Sequence, residues 1–309
     1  MPTYALLGAT GATGSSVLRH LLNTHSSPSS AANFNPSLNL HILVRSKSKL
    51  LSSFPDLEPQ SQPPLRIQIT QGYATDPTAL DAVLHSASII FMCVATNDST
   101  IGRTLTQDTA SAILASLRRL RHAATKGDSG KPRNHYAAPT LIQLRSASLN
   151  PALAAQVPRF VSCTVHFCLA AQYADLSAAC AAYEAAARDE EGLLEYVLVD
   201  PPTLHDAFGA APATGHRLIG DSERQAICLS YADLGVALCE VALRAGEFRG
   251  KAVGVTATGD VRMTWGVLAG YLFQGGLRHL SYTCGGRENV VVAGGCLALV
   301  VACLVVGYL

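Results

Sequence analysis

The sequence predicts an α/β protein built on a doubly wound parallel sheet, and three observations carry that expectation. A short apolar run, Tyr4-Ala5-Leu6-Leu7, enters a turn with glycines at Gly8, Gly11 and Gly14, and an apolar-periodic segment follows (Val17, Leu18, Leu21, Leu22). That order reads as strand, tight turn, helix. Short apolar runs then alternate with helix-period segments along most of the chain, the pattern of βαβ units. Finally, Ser88–Ala95 carries Ile89, Ile90, Phe91, Met92 and Val94, continuous hydrophobicity that suits a central parallel strand covered on both faces.

The glycine turn is where chemistry is expected first. Gly8 and Gly11 can take positive φ and let the backbone approach a ligand, and Gly14 lets the helix pack on the strand. The first N–H groups of the helix and its positive dipole end face the turn, where a pyrophosphate is stabilised. Gly8, Thr10, Gly11, Ala12, Thr13 and Gly14 are therefore the candidate phosphate cradle. The stretch Gly8-Ala9-Thr10-Gly11-Ala12-Thr13-Gly14 resembles the GATGxxG turn of atypical short-chain dehydrogenase/reductase proteins, the NmrA-like NAD(P)-binding group. The order of segments is similar to that family from residue 3 to about residue 260. The resemblance implies a Rossmann-type domain over residues 1–260 with a small substrate lobe from about residue 200. Its implied activities include reductases, isomerases, epimerases and regulators that bind the cofactor without turning it over. Such proteins are frequent in fungal secondary-metabolite pathways.

Composition narrows the partners. The 309 residues can bury a substantial core, and a net charge of +1 argues against nucleic-acid binding. Nine cysteines are scattered singly, without CxxC, HExxH or zinc-type spacing, so no metal is expected. Because a strand and the glycine turn begin at once, no signal peptide is expected.

After the first helix, a polar loop, Ser26–Ser37, precedes the strand Leu38–Val44, which ends at Arg45-Ser46-Lys47-Ser48-Lys49. The end of this strand meets the adenosine ribose, usually about 20 residues past the glycines. Arg45 lies 31 residues beyond Gly14, or 19 once the twelve-residue insertion is set aside. A carboxylate there would bind a ribose 2′-OH, whereas a cation pairs with a 2′-phosphate. Arg45, with Lys47 or Lys49, thus points to NADP(H), with a solvated basic loop as the rival reading. A proline-containing loop leads to the strand Leu65–Thr70 and a short helix, Asp76–Leu84. The central strand Ser88–Ala95 ends near Asn97, at the sheet edge where ligands bind, although a turn asparagine is the plainer reading. A helix from Thr104 to Leu120 follows, closing in the basic run Arg118, Arg119, Arg121, His122, Lys126, Lys131 and Arg133. That run reads as solvated surface, with contact to an anionic membrane as the alternative.

Pro139–Leu144 is a further strand, followed by Arg145-Ser146-Ala147-Ser148. The family places at this strand end a serine that hydrogen-bonds the reacting oxygen, and Ser146 and Ser148 are the matching positions; either could equally be a strand-end cap. Next, Phe167–Arg188 is predicted as one alanine-rich helix. The family's active reductases commonly carry Tyr-x-x-x-Lys on it. Here Tyr173 is followed by Ser177 and Tyr183 by Ala187, and no lysine occurs between Lys131 and Lys251. Leu169, Tyr173, Leu176, Cys180, Tyr183 and Ala187 also form one helical stripe, which reads as core. Tyr173 is still the candidate proton donor, with Tyr183 behind it. The strand Leu193–Val199 runs into Asp200-Pro201-Pro202-Thr203-Leu204-His205-Asp206. The family's loop here borders the nicotinamide, matched in kind by Pro202 and Thr203, and His205 is a second candidate acid or base, with an exposed loop histidine as the rival reading. Residues 207–225 are expected to cover the substrate, Ser230 to cap a helix, and Lys251–Thr256 to form the last strand.

The expected activity is an NADPH-dependent oxidoreductase acting on a lipophilic ketone, enone or alcohol. Its alternatives are an isomerase, epimerase or cyclisation catalyst without net redox, and a non-catalytic NADP(H)-binding regulator. At the C-terminus, Val290–Leu309 contains no charge and as a helix would span about 30 Å. Residues 261–288 are read as a connecting or interfacial helix and 289–309 as a transmembrane tail. The positive-inside rule then puts the catalytic domain in the cytosol, with the endoplasmic reticulum the expected membrane. A tail packed on the domain or a partner is the alternative.

Overall fold

A computed structural model describes residues 1–26, 37–55, 57, 64–96, 98, 100–125, 136–206, 212–262 and 264–284. Among the described residues lie ten strands: β1 (Thr3–Leu7), β2 (Leu38–Val44), β3 (Leu65–Gln71), β4 (Ile89–Met92), β5 (Thr140–Leu144), β6 (Glu195–Asp200), β7 (Thr203–His205), β8 (His216–Ile219), β9 (Cys228–Ser230) and β10 (Lys251–Ala257). Eight of them form one sheet in the order β3-β2-β1-β4-β5-β6-β10-β8. All its pairings are parallel except that of β8 on β10. β7 and β9 make a separate two-stranded parallel sheet. The strand order reverses between β1 and β4, and in open α/β sheets that switch point opens the ligand crevice. The expected Rossmann-like fold is the observed one.

Pleating sends successive residues of β1 to opposite faces. Leu6 joins the core under α1 (Ala12–Ser26) and α8 (Tyr231–Leu243), with Val17, Leu18, Leu234 and Leu238. Ala5 and Leu7 join the core under α3 (Pro77–Leu84), α4 (Leu105–Thr125) and α7 (Ala170–Asp189), with Leu80, Ile113 and Tyr183. Each fully buried leucine contributes about 1.5–3 kcal/mol. Helix α8 rides close on α1 because Gly235 has no side chain; a Cβ there would stand 2.6 Å from the Ser16 backbone. Asp76 and Ser230 cap α3 and α8 as their positions predict.

The structure corrects several sequence expectations. The central strand is shorter than Ser88–Ala95: after Met92 only the Cys93 N–H still reaches β1, at Leu7 O (3.1 Å), and the chain then leaves the sheet. Phe167–Arg188 is two helices. α6 (Arg159–Cys168) ends and α7 begins at Leu169, whose φ of −109° and ψ of 18° leave the helical region. The break lets Cys168 pack with Leu272 of α10 (Trp265–Cys284), alongside Phe167, Leu169 and Phe273. In the basic run at the end of α4, Arg118 and Arg121 share Glu190 and Arg119 pairs with Asp81; Lys126, Lys131 and Arg133 lie outside the described residues. Among the described residues no helix is long and apolar enough to cross a membrane. The expected tail, 289–309, lies outside them.

Candidate functional site

The glycine turn lies at the switch point. Gly8 has φ +89°, a left-handed conformation suited to glycine, and a Cβ there would stand 2.6 Å from Cys93 O at the end of β4. A Cβ on Gly14 would run into Gly8 O and lie 3.0 Å from the Ala9 Cα. Gly11 departs from expectation: it does not take positive φ, and instead its N–H donates to Gly8 O at 3.0 Å, closing the turn. The first-turn N–H groups of Ala12, Thr13 and Gly14 are left for a partner outside the helix. A bare backbone cradle at a helix start, closed to side chains at Gly8 and Gly14, fits a dinucleotide pyrophosphate.

The register Leu7↔Leu43 sets the end of β2 beside this turn. Arg45 and Lys49 are both exposed there. Ser46 caps the short helix α2 (Lys47–Ser53), its Oγ accepting the Lys49 N–H at 3.2 Å. Asn97 lies outside the described residues.

At the C-terminal end of β5 the structure brings expected residues together. Ser146 Oγ and Tyr173 OH are 3.3 Å apart, though 27 positions separate them in sequence. Ser146 Oγ also accepts the Ser148 N–H at 3.3 Å, so the same serine caps the following 3₁₀ turn, Ala147–Leu149. Burial pushes the Tyr173 phenol above its ordinary pKa, and hydrogen bonds with Ser146 and Ser148 pull it back. The phenol is therefore protonated near neutral pH, the state a proton donor needs. Tyr183 belongs to the core instead: it is fully buried, burial drives its pKa far up, and its hydroxyl has no partner among the described residues.

The loop after β6 lies alongside. Ala147 N–H donates to Pro201 O at 3.0 Å, and Thr203 N–H to Ile227 O at 3.2 Å, which holds Pro202 and Thr203 next to the serine turn. His205 is not an exposed loop histidine. It sits in β7 at 1% exposure, and its Nδ1 accepts the Thr264 N–H at 2.9 Å. Burial lowers its pKa. An imidazole accepting at Nδ1 carries its proton on Nε2 and is neutral, so it ties β7 to the segment before α10.

Beneath the site runs a polar network that sequence reasoning missed. The Arg145 guanidinium makes a bidentate pair with Asp200, at 2.7 and 2.5 Å, and Asp200 is fully buried. Asn150 Nδ2 donates to both Asp200 and Asp221 at 3.0 Å, and its Oδ1 caps α5 (Pro151–Ala154). Gln225 Nε2 donates to Asp200 O and Val255 O. Burial pushes the Asp200 carboxyl up, while Arg145 and Asn150 oppose that shift. The pair locks the end of β5, hence Ser146, to the end of β6. Asp175 is another residue missed. From α7 it accepts the Thr106 and Gln107 N–H groups at 2.9 Å and so caps α4 from a neighbouring helix. Between these parts a cavity of about 100 Å³ opens at the ends of β4 and β5, lined by Cys93, Thr96, Gln143, Arg145, Gln172 and Asp175 among others. A larger cavity of about 330 Å³ lies between α4 and α7, lined by Arg118 and Glu190 and away from the sheet edge. The smaller one adjoins the chemistry. Among the described residues no group of three His, Cys, Asp or Glu side chains could hold a metal.

Comparison with known proteins then places the chain. It is 57% identical to averufin oxidase stcO of Emericella nidulans, over 97% of this chain and 96% of that protein. It is 56% identical to averufin oxidase A of Aspergillus flavus, over 91% of each. No protein-family model matches. Among solved structures, a short-chain dehydrogenase/reductase from Veillonella parvula in complex with NADP superposes with a TM-score of 0.52. That match has 14% identity and covers 84% of this chain and 95% of that one.

Proposed function

The chain belongs to the averufin oxidase family of fungal secondary-metabolite oxidoreductases, enzymes of short-chain dehydrogenase/reductase type, and from that premise we propose that it uses NADP(H) to transform a lipophilic ketone, enone or alcohol. Averufin is the candidate substrate that its relatives' names supply. Gly8, Thr10, Gly11, Ala12, Thr13 and Gly14 hold the pyrophosphate, Arg45 and Lys49 take the 2′-phosphate, and Pro202 and Thr203 border the nicotinamide. When bound, the nicotinamide supplies or accepts the hydride. Ser146, assisted by Ser148, polarises the substrate oxygen, and Tyr173 moves the proton.

The observation carrying this reading is the 3.3 Å approach of Ser146 and Tyr173 at the C-terminal end of β5, on the same edge of the sheet as the glycine turn after β1 and separated from it by β4. Loss of a positioned proton donor typically costs about 10²–10⁴-fold in turnover. Tyr173→Phe is therefore expected to lower averufin conversion by that order while leaving the melting temperature near wild type. Full activity in this variant would remove Tyr173 from the mechanism. Cofactor choice is checked separately. An Arg–phosphate pair contributes about 1.5–3 kcal/mol, a preference on the order of tenfold to a hundredfold. Fluorescence titration is expected to show NADPH binding ahead of NADH by that factor, and Arg45→Ala to erase most of the difference. Equal binding of both by the wild type would defeat the NADP(H) assignment.

A further inference from the structure

Taking Tyr173 as the proton donor leaves a charge unaccounted for. When the phenol gives up its proton an anion remains, and the lysine that offsets it in the family's reductases has no counterpart between Lys131 and Lys251. Arg145 adjoins Ser146 in sequence, but its guanidinium is committed to Asp200. The side chain that stands against Tyr173 is His166, on α6. The helix is interrupted at Leu169, between α6 and α7. The two rings then meet edge to face, with centroids 5.3 Å apart and planes at 70°. His166 Nδ1 lies 2.9 Å from Ser162 O. A carbonyl only accepts, so Nδ1 carries a proton and donates it, and the ring is held.

We propose that His166 is the positioning residue of Tyr173: its ring fixes the phenol, and its imidazolium offsets the phenolate that forms as Tyr173 transfers its proton. In that step the Tyr173 O–H bond breaks, a substrate O–H bond forms, and the phenolate later recovers a proton from water. His166 keeps its own. The inference rests on Tyr173 being the proton donor. His166 lies on a helix that packs against α7, α10 and the Ala147–Leu149 turn. Tyr173 faces it from α7, and Ser162 O from its own helix, which also carries Arg159 and Cys163. On α10, His279 stands on Phe167, 4.5 Å between centroids, and Arg278 turns to Asp98. The one carboxylate among these groups, Asp98, is paired with Arg278 and Arg103.

The test uses full-length protein with averufin and NADPH. His166→Phe keeps a flat ring against Tyr173 and removes the charge, and His166→Gln removes both. Both variants are expected to keep the wild-type melting temperature and NADPH affinity. Turnover is expected to fall about 10- to 100-fold with KM unchanged. The pH–rate profile of the wild type is expected to differ in shape from the profiles of both variants. Wild-type turnover with a wild-type pH–rate profile in His166→Phe would overturn the proposal. So would a loss of activity that only follows a loss of folded protein in both variants. If Tyr173→Phe loses activity and the His166 variants do not, this inference alone fails; if Tyr173→Phe is fully active, the reading of Tyr173 fails with it.

Discussion

Replacing Gly14 by alanine is expected to abolish nicotinamide-nucleotide binding at concentrations that saturate the wild type. The added Cβ would coincide with Gly8 O and crowd the Ala9 Cα at 3.0 Å. These are backbone atoms, so no side-chain rotation relieves the contact. The turn has nowhere to retreat either, because Gly8 already packs where a Cβ would stand 2.6 Å from Cys93 O. The first turn of α1 must therefore move outward, carrying away the N–H groups that face the phosphates. Losing two or three charge-assisted hydrogen bonds at about 1.5–3 kcal/mol each corresponds to an affinity loss of at least about a hundredfold. Gly246→Ala is the control: a Cβ there meets nothing within 4 Å, and the glycine is not at positive φ. NADPH titration of both variants, with circular dichroism to follow the fold, checks this. Wild-type affinity in Gly14→Ala would place the dinucleotide elsewhere.

The second large effect is expected in stability. Arg145→Ala removes the only cation paired with Asp200 among the described residues and leaves a fully buried carboxylate with the Asn150 amide. Breaking a buried pair by removing one partner typically costs about 3–5 kcal/mol. The sign of the pH dependence follows from burial, which raises the folded-state pKa of Asp200. Without Arg145 nothing charged opposes that shift. The folded variant then binds a proton that the unfolded chain has released, so its stability drops as pH rises through the folded pKa. The deficit relative to wild type should therefore shrink as pH is lowered toward the carboxylate range. Arg145→Ala/Asp200→Ala should recover part of the loss at neutral pH, as a double-mutant cycle between contacting residues reports. Melting curves of wild type, Arg145→Ala, Asp200→Ala and the double variant at acidic and neutral pH decide it. A deficit independent of pH and fully additive would mean that Arg145 stabilises by packing alone.

Local signals made most of the fold legible. The strand, glycine turn and helix at the N-terminus are contiguous in sequence, and β4 announces itself by four consecutive buried residues. The site was legible only where a strand end or the family motif marked it, as with Ser146 and Ser148. Periodicity could not separate Tyr173 from Tyr183, because both belong to one stripe of the same helix. What separates them is the position along α7: Tyr173 near its start reaches Ser146, and Tyr183 further on sinks beneath the sheet. The helix break at Leu169 left no Gly or Pro to signal it, and His166 was invisible as a neighbour of Tyr173 for that reason. Arg145 and Asp200 stand 55 positions apart, and only the adjacency of β5 and β6 turns two strand-end charges into a pair. His205 looked like a loop residue because β7 is three residues long and pairs with β9, far along the chain.

The central claim, a nicotinamide-dependent redox step on the substrate held at Ser146 and Tyr173, is tested most directly by stoichiometry. Purified protein is mixed with averufin and a limiting amount of NADPH or NADP, and the nicotinamide absorbance is recorded while the product is quantified by mass spectrometry. The account predicts that each substrate molecule converted is matched by a net change in one nicotinamide, and that Tyr173→Phe suppresses both signals together. Conversion of averufin with no net change in the nicotinamide, or at an undiminished rate in Tyr173→Phe, would contradict it.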